Sequence, residues 1–93
     1  MSETKPLRTD IASAQALTLP AMVGYQDGSV VSRVILKRDS GNITLFAFDE
    51  GQGLTEHTSP YEALVQIIEG EAEITISGTP IAAKAGDVVL LPA

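Results

Sequence analysis

The stretch from Gly51 to Gly70 reads GQGLTEHTSPYEALVQIIEG. Gly51 and Gly53 mark a loop, where glycine permits a sharp turn. This GQG is not a phosphate loop, because it lacks a following lysine and a strand-to-helix context. After a polar segment comes ALVQII, Ala63–Ile68, which is short and apolar enough to read as a strand. Alternation places Ala63, Val65 and Ile67 on one face and Leu64, Gln66 and Ile68 on the other. With apolar residues on both faces, the strand is expected to be covered twice, by the domain core and by a partner sheet or subunit. The segment before it holds His57, the single histidine of a chain that has no cysteine. One histidine and no cysteine cannot build an ordinary His-rich metal site within one subunit.

Working outward, the pattern stays β. SVVSRVILKR, Ser29–Arg38, is rich in β-branched residues and reads as a strand. DSGN, Asp39 to Asn42, predicts a turn with Gly and Asn available for positive φ. ITLFAFD, Ile43–Asp49, alternates with Ile43, Leu45 and Ala47 on one face and Thr44, Phe46 and Phe48 on the other, completing a hairpin. Beyond Gly70, EAEITI puts Glu71, Glu73 and Thr75 out and Ala72, Ile74 and Ile76 in. SGTP, Ser77 to Pro80, predicts a turn into Ile81–Lys84. Ala85-Gly86-Asp87 predicts another, before a last strand at Val88–Leu91. On the N-terminal side, Met1 to about Asp10 reads as a loose polar arm. Asp10 is placed to cap a short Ala-rich turn through Leu17, and Pro20 to end that segment. Short strands, frequent turn signals and no convincing helix give an all-β class, a sandwich or barrel. Residues 1–20 are expected to form an N-terminal arm and 21–93 one domain.

Composition agrees with one small packed domain. Of 93 residues, 44% are apolar and 19% charged, which argues against wholesale disorder. Aromatics are only 4%, so the core must rest on aliphatic side chains. The net charge of −6 disfavours nucleic acid and anionic membranes as partners. The absence of cysteine suits a reducing compartment. MSETKPLRTD is polar and lacks the apolar centre of a signal peptide, and no apolar run approaches a membrane span, so the expected location is cytoplasmic.

At this point the chain resembles a small single-domain cupin over roughly Val30 to Ala93. The first cupin motif runs Gly, five residues, His, one residue, His, three or four residues, Glu, six residues, Gly. Here Gly51 is followed by five residues and His57; Ser59 stands where the second His belongs; Ala63 stands where the Glu belongs, or Leu64 with the longer spacing; Gly70 comes six residues after Ala63. The second motif begins Gly, five residues, Pro, matched by Gly86 and Pro92 in AGDVVLLPA. The family pattern would place a further His about four positions beyond Ala93. The resemblance implies a cupin-type jelly-roll barrel, a double-stranded β-helix, without its final strand in these 93 residues. Either edge-to-edge pairing or strand exchange between two subunits, or a longer parent chain, would complete it.

Each departure from the motif has a chemical meaning. The hydroxyl of Ser59 is a poor ligand for borderline divalent metals, and Ala63 offers no donor. Glu62, one position away, should face opposite to the ligand position. His57 reads as a barrel-mouth histidine bonded to backbone or Ser59, as a lone polar anchor for a small ligand, or as a remnant metal ligand. Asp49, Glu50 and Glu56 read either as solvated loop caps or as a hard-cation site. A barrel lined by Ala63, Val65, Ile67, Ala72 and Ile74, with Phe46 and Phe48 as aromatic walls, would be an apolar pocket. Its polar contacts would be His57, Ser59 and Gln66; side chains simply filling the barrel are the alternative. The expected ligand-binding residues are therefore His57, Ser59, Gln66 and Phe46, with His57 as the one candidate for a divalent metal. The expected function is small-molecule binding by a homodimer without a complete metal site. The alternatives are a metal-dependent cupin enzyme, of dioxygenase or isomerase type, completed by a partner subunit or a further C-terminal segment, and a structural oligomerisation module.

Overall fold

The computed structural model describes residues 8–54 and 60–93. The chain divides into two compact units, Met1–Gly53 and Leu54–Ala93.

The first unit is a three-stranded antiparallel sheet, ordered β1 (Arg8–Thr9), β2 (Val30–Arg38), β3 (Gly41–Phe48). Alternation sorts its side chains as the sequence predicts. Leu45 and Ala47 are buried, whereas Phe46 and Phe48 on the opposite face are exposed, with rings stacked at 5.8 Å. Ile43 shares the Leu45 face but is exposed at the hairpin end. The register steps from Val34↔Thr44 to Leu36↔Ile43, so Ile35 is the extra residue of a β-bulge. Ile35 is buried all the same, and its carbonyl accepts the Asp10 amide at 2.9 Å on the other side of the strand.

Three expectations for this unit are corrected. Arg8–Thr9 pairs with β2, opposite Lys37 and Leu36, so the arm is tied down at its end. The Asp10 carboxylate accepts from Arg33 at 2.8 Å, and Ala14 sits at φ 58° in an irregular turn. Pro20 does not end a segment but begins a 3-10 helix, Leu19–Met22, where its missing N–H costs nothing. The β2–β3 connection also differs. Arg38 pairs with Gly41, so Asp39 and Ser40 make the turn, while Asn42 is already in β3 opposite Lys37.

The second unit holds two antiparallel pairs among the described residues. β4 (Ala63–Gln66) pairs with β7 (Val88–Leu91), and β5 (Glu71–Ile76) with β6 (Thr79–Lys84). β5 and β7 have the bounds expected from sequence; β4 stops two residues short of Ile68. The turn before β6 is tighter than SGTP. Ile76 pairs with Thr79, leaving Ser77 (φ 50°) and Gly78 (φ 81°) as a two-residue turn of type I′. Thr79 and Pro80 thus belong to β6, where proline is tolerated because the strand is at an edge. Ala83 is buried, and Ile74, Ile76 and Ile81 on the same face are half-buried. Ala72 shares that face by alternation but is exposed, since it lies near the start of β5.

Before β7 the Ala85-Gly86-Asp87 turn forms as expected, with Gly86 at φ 94°. Asp87 organises it: its carboxylate accepts the Lys84 amide at 2.9 Å and its own amide donates to the Lys84 carbonyl at 2.9 Å. The Gly86 amide reaches the Ile67 carbonyl and the Ala85 amide reaches Gly70. Backbone bonds therefore stitch the start of β7 to the end of β4 beyond the four paired residues. Among the described residues, no helix is long and apolar enough to cross a membrane.

Candidate functional site

The motif residues divide between described and undescribed positions. His57, Ser59 and Glu56 lie outside the described residues. Ala63 opens β4 opposite Leu91 and is exposed; Val65 and Ile67 follow on the same face, half-buried. A methyl group stands where the cupin motif requires a carboxylate. Glu62 is exposed, next to that position. On the ligand face, the described residues Ala63, Val65 and Ile67 present methyl, isopropyl and sec-butyl groups, none of them a metal donor. Among the described residues, no group of three His, Asp or Glu side chains is placed to hold an ion.

Gln66 closes β4 opposite Val88 and is exposed. It shares a face with Leu64, Val88 and Leu90, not with Val65. Leu64, Val88 and Leu90 are 69%, 58% and 56% exposed. Phe46 belongs to the first unit, where its ring lies against Phe48 on the face of Val30, Ser32 and Val34. A depression in the second unit, open to solvent, runs beside Ala72 and Ala83 under Glu71, Glu73 and Lys84; neither Gln66 nor Phe46 lines it.

Of the acidic loop residues, Asp49 has structural partners. Asp49 accepts the Gly28 amide at 2.7 Å, and its own amide donates to the Ser29 carbonyl, so it fastens the turn before β2. Gly51 takes φ 82° just after it, supplying the sharp turn ahead of the motif. Asp49 is thus a loop cap, the plainer of its two readings. Sequence reasoning passed over Arg33, whose guanidinium contacts both Asp10 and Met22. The signal was present: it is a lone cation inside the apolar run VVSRVIL.

A family model described as Ethanolamine utilisation protein EutQ matches residues 23–93. The chain belongs to the EutQ family. That match covers β2 through β7 and the whole Gly51–Gly70 stretch, and EutQ is a cupin-type protein, so the resemblance read from the motif frame is upheld. No curated protein and no solved structure matches the chain. As an EutQ-family cupin, it keeps the glycine frame of the motif while Ser59 and Ala63 replace ligands.

Proposed function

We propose that this chain is a cupin-type ethanolamine utilisation protein that binds a small organic ligand without a first-motif metal. The observation that carries the reading is β4. Its Ala63 position, which should hold a metal-binding carboxylate, is a methyl, and the residues that follow on that face are aliphatic. Apolar walls with few polar anchors suit a small, partly apolar molecule oriented by one or two hydrogen bonds. His57 is the main anchor, with Ser59 as a further contact. The name of the family that matches supports a ligand connected with ethanolamine utilisation.

The homodimer is part of this proposal. The outer face of β4 and β7 carries Leu64, Gln66, Val88 and Leu90, without a charge, on a chain of net charge −6. Two like-charged copies can meet there without bringing carboxylates together.

A thermal-shift panel of small carboxylated, carbonyl and amino-alcohol metabolites tests the binding role. A ligand should raise the midpoint of the parent and raise that of His57→Ala much less, with both proteins folded. Equal stabilisation of the two would remove His57 from the site. Absence of any shift across the panel would favour the oligomerisation module. A metal-dependent enzyme is distinguished by titration with iron, manganese, nickel or zinc.

A further inference from the structure

Both ends of the segment 10–22 converge on one side chain. Arg33 Nε donates to Asp10 Oδ2 at 2.8 Å, and the pair is also an ion pair. A second nitrogen of the same guanidinium donates to the Asp10 carbonyl at 3.3 Å, and a third to the Met22 carbonyl at 2.8 Å. A planar group with a fixed fork of donors suits this task, which a lysine ammonium on its single point cannot perform. The segment between these ends has little of its own to hold it. It contains an irregular turn with Ala14 in the left-handed region, then a 3-10 helix with no buried residue and no side-chain cap. β1 ahead of it contributes two paired residues. Closed loops of this length with adjoining ends behave as compact surface units.

We infer that residues 10–22 form a strap that opens and closes as one unit on the first sheet, with Arg33 as a latch that holds both its ends. Arg33 lies opposite Leu45, on the buried face of that sheet, so the latch draws the strap toward the Leu45 side. Opening the strap leaves the β2–β3 ladder intact, because none of its paired residues belongs to the strap. Local openings of this kind have free energies well below that of global unfolding.

Two amides report the two ends. Asp10 N–H donates to the Ile35 carbonyl at 2.9 Å, and Ala21 N–H donates to Thr18 within the 3-10 helix at 3.1 Å. Native-state hydrogen exchange by NMR on the whole chain, with low concentrations of urea, should show Asp10 and Ala21 opening together. Both should open at a smaller free energy and with a smaller urea slope than amides of β3. In Arg33→Ala, both should exchange about ten- to a hundredfold faster, the range expected from losing charge-assisted bonds, while β3 amides change little. Arg33→Lys should fall between. Three results would overturn the strap. In the parent, Asp10 and Ala21 could open independently, or only with global unfolding; both outcomes are readable even if Arg33→Ala fails to fold. In a folded Arg33→Ala, Ala21 could keep its parent rate, which would reduce Arg33 to a local contact of Asp10.

Discussion

Leu45→Ala is the sharpest test of where the first unit keeps its core. Leu45 is 7% exposed, in the middle of β3 and opposite Arg33. Removing three carbons from such a site forfeits about 2 kcal/mol of transfer free energy. A partly uncollapsed cavity adds about 1 kcal/mol more, for a total near 3 kcal/mol. A chain of 93 residues has roughly 5–14 kcal/mol to lose. Ile43→Ala is the matched control. It lies two positions away on the same strand and face, but is 53% exposed, so about 1 kcal/mol is expected. Urea unfolding followed by far-ultraviolet circular dichroism reads both. With a slope of about 1 kcal/mol per molar, the midpoint should fall by about 2–3 M for Leu45→Ala and by about 1 M or less for Ile43→Ala. Equal shifts, or a larger one for Ile43, would refute the placing of the core at Leu45 and not at the hairpin end.

Further outcomes follow from the turns and from the proposed interface. In the Ser77-Gly78 turn both φ angles are positive. Gly78→Ala should therefore cost about 1 kcal/mol in chemical denaturation, and Ser77→Asn should gain roughly 0.5 kcal/mol, since Asn-Gly suits this turn best. Asp87→Ala removes the acceptor of the Lys84 amide and should cost about 1 kcal/mol. Lys84→Ala should cost almost nothing, because its ammonium is 4.0 Å from Asp87 and well exposed. If Lys84→Ala were the more damaging, the ion pair and not the backbone cap would organise the turn. Leu64→Lys should shift a dimer to monomer in sedimentation velocity while leaving circular dichroism unchanged; an undisturbed dimer would move the interface elsewhere.

The strands were legible because alternation is a local property. Glu71–Ile76 and Val88–Leu91 are bounded by turn residues on both sides, so their limits could be read from sequence. Turns were located but not typed. Whether Asp39-Ser40 or Gly41-Asn42 carries the bend depends on cross-strand register, which a bulge at Ile35 shifts without any local signal. The same reasoning explains Asp10. Its cap-like place before an Ala-rich run is a local preference, whereas its bond to a guanidinium 23 residues away depends on the fold. The glycine frame of the metal motif and the replacement of its ligands were both plain in the sequence. The family match upholds the cupin resemblance that the frame carried, because glycine spacing fixes backbone turns, while ligand identity is a separate requirement.

The proposed function keeps the cupin frame without its metal chemistry. Metal content by inductively coupled plasma mass spectrometry, on protein purified without chelator and again after incubation with iron, manganese, nickel and zinc, tests it most directly. The expected result is no retained ion after desalting in either sample. About one tightly held ion per subunit, lost in His57→Ala, would contradict the account and make His57 a ligand of a complete site.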